Sequence, residues 1–351
     1  MLFGVGENKY RQMQSLQFRF LFIFLLLIIL LLAGLSFGSV NIAFQDIFSV
    51  ISGEDGVSES TKMIIREIRF PRSWSAMLAG AGLAISGLMM QSLFRNPLAG
   101  PSVLGISSGA SLGVALAVLG GLSLTTASFF NHFNIFLFAV LGATAVIFLI
   151  VAISFRLKDN ASLLIAGLMI GYMVSAVVSV LQSTAGQGEL QHYIFWGFAG
   201  FGDITLSELP FFTSVVVLGG AASLFLMKPL NALLMGEEYA VSLGVKVKSA
   251  RIWTILICGL LVGSITAWCG PIAFIGIAIP HFARVVFKTT DHKILFPACL
   301  LIGMVAALVC DIISRAPWGG TPLPLNAITS MLGAPVIVWY IFKRSKMSRL
   351  F

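Results

Sequence analysis

One group of residues suited to chemistry is a run of arginines, Arg66, Arg69 and Arg72, with Arg315 standing apart near the other end. A guanidinium presents a planar fork of donors that can grip a carboxylate with two parallel bonds, so such a group suits docking of an acidic partner. The plainer readings are contact with lipid headgroups, or ion pairs with Glu67 or Asp311. A second stretch, Gly236-Glu-Glu-Tyr-Ala-Val-Ser-Leu-Gly244, reads as about two helical turns bracketed by glycines. Its Glu237 and Glu238 suit the positive N-terminal end of a helix. As composition alone, it is an amphipathic surface loop. Catalytic groupings are missing. His132, His192, His281 and His292 form no HExxH, and without a Gly-Lys dipeptide there is no Walker A loop. Cys258, Cys269, Cys299 and Cys310 form no CxxC pair and read as small buried hydrophobes.

The elements that position these groups follow from composition. The chain has 351 residues, of which 58% are hydrophobic and only 10% charged, and its mean hydropathy is +0.98. A soluble domain carries roughly 25% charged residues. This excludes a cytosolic enzyme, a nucleic-acid-binding domain and a disordered chain. Apolar runs are too long for barrel strands, which leaves an all-α polytopic membrane protein. The net charge of +8 then reflects cytoplasmic loops, and no nucleic-acid partner is expected.

Charge-free stretches, divided at Gly, Pro and polar clusters, give ten candidate spans: 18–35, 74–93, 103–119, 135–155, 161–181, 209–227, 252–269, 271–287, 294–313 and 323–342. The first reads as an uncleaved span and not a signal peptide, because its apolar run is long and more spans follow. Basic clusters fall at Arg11 and Arg19, at Arg156 and Lys158, at Lys228 to Arg251, at Arg284 to Lys293, and at Lys343 to Arg349. An inside N-terminus places all five clusters in the cytoplasm, with both termini inside. Arg66, Arg69, Arg72 and Arg315 are then left on the outer side. Gly105, Gly109 and Gly113, Gly167 with Gly171, and Gly259 with Gly263 repeat the GxxxG spacing of closely packed membrane helices. Pro97 and Pro101 before the third span, and Pro271 and Pro280 in the eighth, mark short or broken helices. Their placement suggests an inverted repeat of 71–181 and 252–342. Asp311 is the only carboxylate candidate within the spans, which argues against ion coupling and for energy supplied by another subunit.

Four segments carry a resemblance. They are Arg69-Phe-Pro-Arg72 followed by Gln91-Ser-Leu-Phe-Arg-Asn-Pro-Leu-Ala-Gly-Pro-Ser-Val-Leu-Gly-Ile-Ser-Ser-Gly-Ala110; Gly236 to Gly244; Gly270-Pro-Ile-Ala-Phe-Ile-Gly-Ile-Ala-Ile-Pro-His-Phe-Ala-Arg284; and Leu332-Gly-Ala-Pro335. In this order they resemble the membrane permease of type II ABC importers, which take up iron-siderophores, haem and cobalamin. The resemblance runs from Arg66 to Lys343.

It implies one ten-span permease domain, 1–351, in the bacterial cytoplasmic membrane, working as a homodimer around a central pathway. Two cytoplasmic ATPase subunits would engage a coupling loop at 228–251, through Gly236, Glu237, Glu238, Ala240, Leu243 and Gly244. ATP and Mg would bind those subunits, with no cofactor on this chain and no enzyme activity of its own. An outer substrate-binding protein would dock through acidic residues on Arg69, Arg72 and Arg315, to which proximity adds Arg66. The inner gate would comprise Asn96, Pro97 and Leu98 with Asp159 and Asn160. The fifth span and the Gly-rich run after Trp196 would border the pathway. Pro322-Leu-Pro-Leu-Asn326, and Trp196-Gly-Phe-Ala-Gly-Phe-Gly202, depart from the family pattern. The rival reading is an ATP-independent secondary transporter or channel for a small solute.

Overall fold

The computed structural model describes residues 3–38, 40–54, 56–120, 128–157, 159–315 and 322–348. Lys158 and Arg349 of the basic clusters lie outside the described residues. Helix α1 (Phe3–Ser36) leads through α2 (Phe44–Ser52) to α3 (Glu59–Met63). A π-helical turn, Ile64–Arg69, joins α3 to α4 (Phe70–Leu93) without a break. A 3-10 turn, Pro101–Leu104, precedes α5 (Ile106–Val118), and α6 (Ser128–Arg156) and α7 (Asn160–Thr184) follow. Then come α8 (Gln187–Gly197), α9 (Leu209–Leu224), α10 (Met227–Met235), α11 (Glu237–Ser242) and α12 (Val247–Cys269). The chain continues with α13 (Ile275–Phe287), α14 (His292–Arg315) and α15 (Leu325–Ser348).

Each of the ten segments read from the sequence coincides with a helix: α1, α4 to α7, α9 and α12 to α15. Among the described residues, six helical stretches are long and apolar enough to cross a membrane. The bent pair α9 and α10 makes a seventh if counted as one span, and α5, α13 and Leu325–Val338 are shorter apolar helices. Four helices were not foreseen. The second span begins well before residue 74, because α3 and the π turn run straight into it. The stretch 228–251, expected to be helical only over about two turns from Glu237, holds that helix as α11 and also an unforeseen α10, turned 51° from α9. Leu230 and Leu233 of α10 are buried, and this packing overrides the loop-like composition around Lys228 and Pro229. α2 and α8 are too short to announce themselves by hydropathy.

Helix α4 is the centre of the bundle. Its apolar window is wholly buried within the protein, whereas those of α1, α6 and α7 are 22–28% buried and face outward. The sequence explains the difference. In lipid no hydrophobic force draws helices together, so close packing of small residues must do it. From Ser73 to Gly87, α4 is mostly Ser, Ala and Gly. Gly80 lies on Gly303 of α14, and Gly87 lies on Gly276 of α13, each backbone-to-backbone with no room for a Cβ. The GxxxG steps work the same way. Gly109 and Gly113 of α5 pack on α6, and Gly259 and Gly263 of α12 meet Ile147 and Ala143.

The two proline-marked spans are both 13 residues long. Each is entered through a left-handed residue, Gly105 at φ 75° before α5 and Phe274 at φ 65° before α13. Their entry segments also touch, with Gly276 against Pro101 and Gly100 against Ile277.

Candidate docking face and coupling site

Helix α4 has 24 residues and is therefore roughly 36 Å long, and a polar site sits at each of its ends. At its N-terminal end are the arginines. Arg69 is 4% exposed. Its Nη1 donates to the carbonyls of Leu35 and Ser36, both at 2.6 Å, and its Nη2 donates to that of Val40. These are carbonyls at and beyond the end of α1, which have no intrahelical partner. Arg72 Nε reaches Asp311 Oδ1 at 2.7 Å, and Arg315 Nη2 reaches Asp311 Oδ2 at 2.7 Å. Arg315 Nη1 also donates to Gly34 and Phe37 at 3.0 and 3.1 Å. Asp311 is fully buried. Three guanidiniums thus surround one carboxylate and one helix end. Arg66 alone of the four is exposed, with a long contact of 3.5 Å to the Val50 carbonyl. The ion pair with Asp311 is present, but the arginines expected at an open surface are mostly turned inward.

At the C-terminal end of α4 the chain closes with Asn96 N–H on the Gln91 carbonyl and Arg95 N–H on that of Ser92. Arg95 takes the left-handed φ of 48° that this helix stop requires. The segment Asn96-Pro97-Leu98 follows directly. Asn96 Oδ1 accepts from Leu98 N–H at 2.9 Å, and the Pro97 carbonyl accepts from His281 Nε2 at 2.8 Å. His281, on α13, therefore pins the segment. In the sequence it stood outside any metal motif, within the segment Gly270 to Arg284, with no role assigned to it.

Across from this segment, Asp159 caps α7 through Ser162 N–H at 2.7 Å. The backbone and hydroxyl of Ser162 hold the Asp159 carboxyl below its usual range. Asn160 begins α7. Its Nδ2 donates to the Leu93 carbonyl at 3.1 Å and to Glu237 Oε1 at 2.7 Å. Glu237 Oε1 also accepts from Arg251 Nη2 at 3.2 Å, and Arg251 Nη1 donates to the Leu157 carbonyl at 3.3 Å. The structure thus joins two of the sequence-read groups, 159–160 and 236–244, through side chains.

Helix α11 is stopped as its sequence requires. Val245 N–H bonds the Ala240 carbonyl and Gly244 N–H bonds that of Val241, with Gly244 at φ 80°. This is a Schellman end, which needs a left-handed residue at Gly244. Ala240 is buried, whereas Tyr239, Val241 and Leu243 are exposed apolar side chains. Glu238 is exposed on the same short helix, while Gly236 supplies its entry at φ 127°. Nearby, Asn231 of α10 binds Asp291 at 2.8 Å and His292 Nδ1 at 2.5 Å, and His292 Nε2 meets Ser92 Oγ at 2.7 Å. This knot fixes α10 to α14 and α4. The Lys293 N–H and Asn231 hold the Asp291 carboxyl low. Arg251, Asn231 and His292 were not singled out as functional in the sequence, because their partners lie far along the chain.

The run after Trp196 packs against the entry to α13. Gly200 N–H bonds the Cys269 carbonyl at 2.9 Å, and Asn326 N–H bonds that of Phe198 at 3.1 Å. Its Phe201 is fully buried. On α7, Ile165, Met169, Tyr172, Met173 and Val180 are exposed. No group of three or more His, Cys, Asp or Glu that could hold a metal ion occurs among the described residues.

A many-helix membrane bundle with broken short spans is a transporter architecture, and the family and structural matches place it in the ABC importer permease class. The chain belongs to the FecCD transport family, whose model matches residues 26–343. It is 31% identical over 315 residues to the vitamin B12 import system permease protein BtuC of Salmonella arizonae, covering 88% of this chain and 93% of that one. To BtuC of Klebsiella pneumoniae subsp. pneumoniae it is 34% identical over 304 residues, covering 85% and 89%. A solved structure of an ABC transporter described as metal-chelate type, in an inward-facing conformation, superposes with a TM-score of 0.81. That match is at 28% identity and covers 92% of this chain and 98% of the other. The chain is thus a multi-pass inner-membrane transport subunit.

Proposed function

We propose that the whole chain forms one permease domain, with both termini cytoplasmic, that carries a metal chelate inward by alternating access. The cobalamin class is favoured by the names of the BtuC relatives. Two copies form the pathway between them, and the exposed apolar face of α7 supports a partner there. ATP and Mg bind separate ATPase subunits that engage α11, and this chain holds no cofactor. The carrying observation is α11 itself. It is a six-residue helix set between left-handed glycines, with Tyr239, Val241 and Leu243 uncovered. An outer binding protein docks at the arginine end, its carboxylates exchanging with the present partners of Arg69, Arg72 and Arg315, and Arg66 meeting it at the rim. Asn96 to Leu98 and Asp159 to Asn160 form the inner gate.

The test is uptake of labelled cobalamin and of a ferric siderophore by vesicles containing the permease, with and without ATPase subunits, binding protein and ATP. Uptake only with all components supports the reading. ATP-independent uptake by the permease alone would establish the rival, a secondary transporter or channel.

A further inference from the structure

We infer that Arg251, Glu237 and Asn160 form a mechanical joint through which movement of α11 reaches both gate segments. The inference rests on the reading of α11 as the ATPase-engaging helix. What it adds is the route, and Arg251 as a positioning residue.

The geometry is economical. One carboxylate oxygen, Glu237 Oε1, accepts from both Asn160 Nδ2 and Arg251 Nη2, at 2.7 and 3.2 Å. The second hydrogen of the Asn160 amide goes to the Leu93 carbonyl at 3.1 Å. Both neighbours of this amide group are acceptors, so only the orientation with nitrogen toward them is favourable. Leu93 is the last residue of α4, three positions before Asn96. Asn160 is the first residue of α7. A displacement of Glu237 therefore pulls on the start of α7 and, through the same amide, on the end of α4.

Arg251 supplies the fixed side of the joint. It is 5% exposed on α12 and also donates to the Leu157 carbonyl, just past the end of α6. Its planar fork can hold the carboxylate and a carbonyl at once, which a lysine ammonium on a flexible stem does less rigidly. The joint thus connects α11 to the ends of α4, α6, α7 and α12. Glu238, the adjacent carboxylate, is exposed and has no part in it.

Residues that act as one unit lose function non-additively when removed together. The experiment uses the assembled transporter in proteoliposomes, with uptake and ATP hydrolysis measured on the same samples. Glu237→Ala and Asn160→Ala should each lower uptake per ATP hydrolysed by roughly tenfold, the scale of one lost charge-assisted bond. The double variant should be no worse than the poorer single one. Glu237→Gln, which keeps an acceptor oxygen and the side-chain length, should restore most of the ratio. Arg251→Lys should fall between. Recovery of assembled complex by size exclusion is measured for each, and Glu237→Gln keeps the test open should an alanine variant fail to assemble. Additive losses, an unchanged ratio, or failure of Gln to rescue would overturn the joint. Leu243→Asp tests the underlying reading separately. If the ATPase subunits still assemble and drive uptake with it, α11 is not their site, whatever the joint variants do.

Discussion

The two ends of α4 solve opposite electrostatic problems. At the arginine end Arg72 and Arg315 share one carboxylate, Asp311, while Arg69 and a second nitrogen of Arg315 donate to carbonyls at the end of α1. Positive charge is in excess there and largely buried. At the other end one guanidinium meets one carboxylate, and Glu237 remains 39% exposed. An end with surplus buried cation is set to receive an anion. An end with balanced charge, whose carboxylate is partly open to water, keeps one counter-charge for the buried Arg251. Burial decides the energetics. Breaking a buried pair leaves an uncompensated charge, whereas an exposed pair is worth little because water screens it.

The same chemical change at both ends therefore gives the sharpest test. Asp311→Asn keeps the shape but leaves both Arg72 and Arg315 without a counter-charge around a fully buried side chain. It should cost about 3–5 kcal/mol of stability. Glu237→Gln should cost less, because the Glu237 side chain is 39% exposed and only one guanidinium, that of the buried Arg251, loses its counter-charge. Thermal unfolding of the purified permease in detergent, both variants side by side, measures this. Equal shifts in Tm would erase the distinction drawn between the ends.

Docking is the next largest effect. Arg72→Glu would set two carboxylates together with Asp311, so lost docking could then reflect a disturbed fold. Arg72→Gln avoids this, since its amide can still donate to Asp311. Loss of one member of a desolvated charge pair costs on the order of 2–5 kcal/mol, so binding-protein affinity should fall by a factor of ten or more. Arg66→Gln, at an exposed position, should fall by less. Affinity of the wild type should also weaken with salt, more through the exposed rim than through the buried cluster. If both variants dock as the wild type does, the arginines serve only to tie α1 to α4 and α14.

How much of this was legible in the sequence differs in the same way. The spans were legible because lipid imposes a length and an apolar composition, and each expected span is a helix. Segments between spans face no such rule, so α2, α8 and α10 passed unread. The arginines were legible as a group because they break the charge asymmetry of the other loops. Their inward direction was not, since Arg72 meets a residue 239 positions away. The contact of Asn160 with Glu237, 77 positions apart, was equally out of reach. Glycine-bounded α11 was read closely because a Schellman end is written locally, in Gly244 itself. The glycines of α4 gave no comparable signal. Their role depends on which backbone approaches, Gly303 or Gly276, and only the assembled bundle supplies that.

The smallest expected effect concerns strain at the C-terminal end of α4. Arg95 occupies the left-handed position of the helix stop after α4, where glycine is the usual residue. An L-residue with a side chain is disfavoured there by roughly 1–2 kcal/mol, while glycine loses about 0.5–1 kcal/mol more than alanine in chain entropy on folding. Arg95→Gly should therefore stabilise the fold by about 0.5–1 kcal/mol, seen as a modest rise in Tm. The segment it precedes, Asn96 to Leu98, is the proposed gate, and a relaxed stop should hold that gate more firmly in its present state. Uptake should then slow while Tm rises, which is the signature of strain kept for function. The arginine end offers the contrast. Arg69 and Arg72 lie in continuous helix with ordinary right-handed backbone, and no such gain is available there. A rise in Tm with unchanged uptake would mean that the left-handed arginine is merely tolerated. A fall in Tm would mean that its side chain contributes more than its backbone costs.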